Sequence, residues 1–153
     1  MANIQLKKFD MSSIKPDKVC VFIGKRETGK SFLVRDLLYY HRSIPVGTVI
    51  SATESANCFY GNIIPPIFIH DEYSAEIISN VLKKQKKMKQ TMVKELTEKG
   101  SSKINPNAFL ILDDCLYDAS WAKDPNIKAC FMNGRHWHIF FYNYYAIPSR
   151  YTS

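Results

Sequence analysis

No two cysteines of this chain form a C-x-x-C pair, no apolar run approaches the roughly 20 residues of a membrane span, and the first ten residues lack the apolar core of a signal peptide. The four thiols, Cys20, Cys58, Cys115 and Cys130, are scattered, so the expectation is reduced cysteine in an intracellular, soluble, non-secreted protein. A zinc site built from Cys130, His136 and His138 would follow no standard ligand spacing. Acidic residues are also scarce, 14 against 21 Lys and Arg, which leaves a net charge of +7 and a pI near 9.2. That excess favours polyanionic partners such as nucleic acid without naming one. What the chain does have is 46% hydrophobic residues in 153, enough to exclude a disordered polymer and to bury one domain's core.

The most informative stretch runs from Cys20 to Ser31. An apolar run, Val19 to Ile23, ends in Gly24-Lys25-Arg26-Glu27-Thr28-Gly29-Lys30-Ser31, and Leu33, Val34, Leu37 and Leu38 then recur at helical spacing. Strand, Gly-x4-Gly-Lys-Ser and helix together make a phosphate-binding loop. Gly24 and Gly29 let successive N–H groups face phosphate oxygens, Lys30 reaches the β- and γ-phosphates, and Ser31 offers a hydroxyl to Mg²⁺. The helix N-terminus adds partial positive charge to the same place.

Thr48 to Ser51 reads as a second strand after Pro45 and Gly47, so a helix joins two strands and the fold class is α/β with a mostly parallel sheet flanked by helices. Ala52 to Pro66 reads as a long loop, and Ile67 to Ile69 as a short strand. From Ser74 the apolar residues fall at three- and four-residue steps to about Lys99, a long helix stopped by Gly100. Its outer face carries Lys83, Lys84, Lys86, Lys87, Lys89, Lys94 and Lys99. Two readings of that face stay open, a solvated surface or a contact to the phosphate backbone of DNA.

Ala108 to Leu112 is a fully apolar strand that runs into Asp113-Asp114. An acid at the carboxyl end of a buried strand suits a phosphate-loop site: Asp113 is expected to hold the Mg²⁺ shell and Asp114 to orient or deprotonate an attacking water. A helix within Asp118 to Asn133, opened by Asp124-Pro125, precedes the turn Asn133-Gly134-Arg135-His136 and a strand from Trp137 to Phe141. Arg135, in that turn, is a candidate arginine finger for a neighbouring subunit.

These three motifs in this order, with a long helical insert between the first two, resemble the genome-packaging ATPases of nucleocytoplasmic large DNA viruses, within the FtsK–HerA superfamily. The resemblance covers roughly Lys18 to Phe141. It implies a RecA-like P-loop NTPase core with ATP and Mg²⁺ as cofactors; the length suits one ATPase domain over 1–153, and 1–17, which mixes Lys7, Lys8 and Lys15 with Ile4, Leu6 and Phe9, reads as an edge segment or N-terminal arm. The resemblance further implies a homo-oligomeric ring that moves double-stranded DNA into a capsid, with viral capsid components as partners, in the host cytoplasm's viral factory or the virion.

The chain departs from that family at its end. Family members continue with a polar sensor residue, a Pro-rich turn and further core strands, whereas 142–153 reads as an atypical aromatic tail without a clean strand pattern. Back-translated with permissible codons and shifted by one nucleotide, 141–152 can read Phe-Ile-Ile-Thr-Met-Gln-Tyr-Pro-Ala-Asp-Ile-Pro, which looks like the family's sensor strand. The expectation is a domain truncated out of frame, with its C-terminal strands missing. Two alternatives stay beside the motor reading: a nucleotide-binding, hydrolysis-deficient interaction protein, and a nucleoside or nucleotide kinase. The kinase would need an Arg-rich lid late in the chain, which is lacking.

Overall fold

Runs of Val, Ile, Leu and aromatic residues build the strands β1 (Val19–Gly24), β2 (Val46–Ser51), β3 (Ile69–His70), β4 (Ala108–Asp113) and β5 (Ile139–Ala146). The structure, a computed structural model, describes residues 5, 7–25, 27–115 and 120–146, the last three for their backbone only. Among the described residues the sheet is five-stranded with order β1-β5-β4-β2-β3, and every pairing is parallel. Parallel strands need both faces covered, and the covering elements are helices.

One face lies under α1 (Lys30–Tyr40) and a 3₁₀ turn at Met11–Ser13. Val34, Leu37, Val49, Ile111, Phe140 and Tyr142 pack there. The other face lies under α3 (Ala75–Lys99) and α5 (Pro125–Asn133), where Ile78, Leu82, Leu110, Leu112, Ile127, Cys130 and Phe141 form the core. Leu110, Ile111 and Leu112 are all fully buried on alternate faces, which explains why β4 shows no polar alternation. Burial, helped by the charge of Asp124, pushes the Cys130 thiol up to about 12.

The long helix forms as its pattern predicts. Ser74 caps it by accepting from the Glu76 N–H at 3.2 Å, and Gly100 ends it with its N–H bonded to the Leu96 carbonyl. Gln85 is buried on this helix, a polar residue inside the apolar stripe, because its Nε2 donates to the carbonyls of Pro106 at 2.6 Å and Trp137 at 3.1 Å. Past that point the helix leaves the core, and Val93 and Leu96 are exposed. Part of its basic face is spent internally: Lys86 sits 4.8 Å over the Trp137 ring and Lys89 donates to the His136 carbonyl at 2.8 Å.

Several boundaries differ from those expected of the sequence. The loop after β2 contains a short helix, α2 (Glu54–Asn57), and the expected strand at Ile67–Ile69 is a 3₁₀ turn over Pro66–Phe68 followed by β3. Helix α4 (Ser120–Lys123) precedes α5, while Asp118 lies outside the described residues. Trp137 is not in the last strand: Gly134–Trp137 is a 3₁₀ turn and β5 starts at Ile139.

The largest correction concerns 142–146, which in sequence look like the start of an atypical tail. They continue β5 in register, Tyr142 opposite Cys20 and Ile111, Asn143 opposite Val21 and Leu112. An interior strand covered on both faces has no reason to alternate, and Tyr and Phe are strong strand formers, so aromatic repetition is here a strand signal. Residues 147–153 lie outside the described residues. One edge of the sheet is β1, where Val21 and Ile23 are 45% and 68% exposed, and the other is the two-residue β3.

Candidate functional site

All strands run the same way, so the loops after β1 and β4 emerge at one edge of the sheet, where parallel α/β folds hold ligands. Only β5 separates the two strands, a lateral spacing of about 10 Å.

After β1 the chain turns through Glu27 at φ 61° and Gly29 at φ 80°, both left-handed. Thr28 Oγ1 donates to the Lys25 carbonyl at 2.8 Å. Lys30 Nζ folds back to donate to the same carbonyl at 2.6 Å and to that of Gly24 at 3.2 Å. At Gly24 an added Cβ would stand 2.9 Å from Thr28 Oγ1, so a side chain there would push the Thr28 hydroxyl off its place on the loop. Helix α1 then starts with Gly29 as an N-cap without a side-chain acceptor and with no acid in its first turn. Its leading N–H groups and positive end are therefore left for an external anion. Ser31, half-buried, sits in that first turn, and Lys25, Glu27 and Thr28 are exposed along the loop. Arg26 lies outside the described residues.

At the end of β4, Asp113 is 8% exposed, and Asp114 follows with φ at 52°, an uncommon backbone state that Asp tolerates better than most residues. Burial raises the Asp113 carboxyl above its usual range; the Tyr60 hydrogen bond opposes this, the Asp114 charge adds to it and the Lys30 ammonium opposes it again. The Lys30 charge thus reaches Asp113, while its Nζ is hydrogen-bonded to the Gly24 and Lys25 carbonyls. Among the described residues no group of three or more His, Cys, Asp or Glu side chains converges on a metal position. One hydroxyl and one carboxylate still fit Mg²⁺, which takes few protein oxygens and fills its shell from water and phosphate.

A raised carboxyl pKa has a stability consequence with a definite sign. The native chain holds the Asp113 proton more tightly than the unfolded chain, so stability falls as pH rises through the window from about 3.9 to the raised value. Without Mg²⁺, Asp113→Asn is expected to melt higher than the native protein at neutral pH. That advantage should disappear below about pH 4, as thermal melts of both chains at several pH values would register.

Two residues that no sequence motif marks complete the site. The buried Tyr60 donates from its hydroxyl to Asp113 Oδ2 at 2.9 Å. Glu54, 7% exposed, accepts from the N–H groups of Tyr60 at 2.9 Å and Gly61 at 2.6 Å. Both belong to the segment after β2, brought beside Asp113 by the register Ser51 opposite Asp113. The available signal was an acid three residues beyond a strand end, in what read as a loop. Asn143, 2% exposed on β5, is a further buried polar group on the strand between the two motifs.

Arg135 is not brought to this site. It is exposed at the amino end of β5, and the strand's eight residues span about 26 Å to the edge where the loops emerge. A cavity of about 530 Å³ also lies elsewhere, lined by Arg35, Tyr39, His41, Ile64, Phe68 and Phe109 at the far end of α1.

The chain has relatives in large DNA viruses. The chain is 42% identical over 146 residues to uncharacterized protein 075L of Invertebrate iridescent virus 6, covering 89% of this chain and 53% of that protein. It is 39% identical over 138 residues to uncharacterized protein L437 of Acanthamoeba polyphaga mimivirus, with 88% and 47% covered. It is 33% identical over 150 residues to uncharacterized protein 015R of Frog virus 3 (isolate Goorha), with 91% and 44% covered. The chain therefore spans about half the length of the curated relatives it matches. No family model and no solved structure matches it. Among the described residues no helix is long and apolar enough to cross a membrane.

Proposed function

We propose that this chain is a RecA-like P-loop ATPase domain, a motor subunit that translocates double-stranded DNA in viral genome packaging. The observation that carries the reading is the common edge of β1 and β4, where the loop bearing Lys30 and the acids Asp113 and Asp114 emerge with a single strand between them. ATP binds with its phosphates along Gly24–Ser31, and Lys30 exchanges the two loop carbonyls for phosphate oxygens. Ser31 and Asp113 would hold Mg²⁺, which would supply charge neutralisation for the phosphates. Asp114 orients the attacking water and accepts its proton. The viral relatives support a setting in the infected host cytoplasm or the virion.

Arg135 acts in this scheme only on a neighbouring subunit's nucleotide, given its distance from its own loop, so hydrolysis requires a ring. The exposed β1 edge favours a second reading, a nucleotide-binding interaction protein that does not hydrolyse alone. One assay separates them: ATP turnover of the 153-residue chain with and without double-stranded DNA. Stimulation by DNA is the expected result, and ATP binding without turnover in either condition supports the second reading.

The exposed lysines of α3 are the proposed DNA contact. Changing Lys83, Lys84 and Lys87 to Ala together is expected to reduce the slope of log affinity against log salt by roughly 3, one unit for each phosphate no longer neutralised. An unchanged slope in a salt titration with duplex DNA would return that face to plain solvation.

A further inference from the structure

We infer that Tyr60 is a positioning residue for the metal, acting through Asp113, and that Glu54 is the latch that holds it there. The inference rests on the nucleotide reading above and concerns which groups make Asp113 a competent partner for Mg²⁺.

A buried carboxylate at a strand end can rotate about its last bond unless something fixes it, and Mg²⁺ demands near-ideal octahedral geometry from its shell. The Tyr60 hydroxyl engages Oδ2 at 2.9 Å, which leaves Oδ1 as the oxygen that would face the metal's water shell. The phenol is fully buried, and its ring meets Phe59 edge-on with centroids 5.1 Å apart. It comes from a segment 53 residues away in sequence, so its place depends on how that segment is tied.

Glu54 supplies the tie. Its two carboxylate oxygens accept from the backbone N–H groups of Tyr60 and Gly61, which uses both and leaves this acid poorly suited to serve as the site's base. The division of labour follows from the hydrogen bonds: of the buried acids Glu54 and Asp113, one fixes a backbone and the other faces the ligand. Tyr60 connects them. Removing the phenol hydroxyl leaves the ring and its packing in place and frees the Asp113 side chain. Loss of such an outer partner typically weakens a metal site about 10–100-fold.

The test uses Mn²⁺ as the probe, followed by electron paramagnetic resonance on the full chain with a non-hydrolysable ATP analogue, and separately the analogue's affinity without metal. Tyr60→Phe is expected to weaken Mn²⁺ binding about 10-fold while leaving metal-free analogue affinity unchanged. A purely structural role would lower the melting temperature and leave the Mn²⁺ affinity where it was. If the native chain binds the analogue and Mn²⁺ and Tyr60→Phe binds both equally well, the positioning role is overturned while the nucleotide site stands. If the native chain binds neither, the nucleotide reading itself fails and takes this role with it.

Discussion

Asp114→Asn is expected to bind ATP as tightly as the native chain and to turn it over at least about 100-fold more slowly, the usual range for losing a positioned base being 10²–10⁴. Asn keeps the size and the left-handed backbone tolerance that φ 52° demands, so the change removes basicity and little else. Lys30→Ala should fail one step earlier. It removes the ammonium that the loop carbonyls of Gly24 and Lys25 hold over the loop, and with it the affinity for triphosphate. Measured together, by nucleotide binding and by phosphate release, the two variants separate binding from chemistry. Turnover unaffected by Asp114→Asn would move the base elsewhere, and Glu54 is a poor replacement because two backbone N–H groups already occupy it.

The strand-loop-helix geometry of the candidate site was legible because it is local in sequence. A strand, a glycine-bounded loop with Lys30 and Ser31, and a helix are contiguous in sequence, and so are β4 and its two acids. Helix α3 was legible for a similar reason, with Ser74, a sustained apolar period and Gly100 in order. Tyr60 and Glu54 were hidden because their role depends on register: only the pairing of Ser51 with Asp113 carries the segment after β2 to the acids. The course of β5 past Phe141 was hidden for a different reason. Its place between β1 and β4 buries both faces, and a strand buried on both faces loses the alternation by which strands are recognised. Arg135 shows the converse limit, since its neighbourhood in sequence gives no hint that it sits at the other end of the sheet from Lys30.

Gly47→Ala is expected to cost roughly 2–3 kcal/mol of stability, because Gly47 is buried in β2 and has no room for a methyl group. Gly47 lies opposite Phe109 on β4, and the Phe109 ring covers it: an added Cβ would stand 2.0 Å from Cε2 and 2.1 Å from Cζ. Real atoms do not approach so closely, so either the ring swings away from the cluster it packs on or β2 moves. The lower conformational entropy of alanine in the unfolded chain returns only about 0.4–1 kcal/mol. Phe109→Ala should cost stability alone by opening space beside Ile111 and Phe140, yet adding Gly47→Ala to it should cost almost nothing more. Urea unfolding of the four chains would show a coupling of about 2 kcal/mol, whereas additive losses would mean the ring already has room. The consequence reaches the site, because β2 ends at Ser51 beside Asp113 and carries the segment that holds Tyr60. If β2 gives way instead of the ring, Gly47→Ala should weaken Mn²⁺ binding in the same direction as Tyr60→Phe, and Phe109→Ala should restore it.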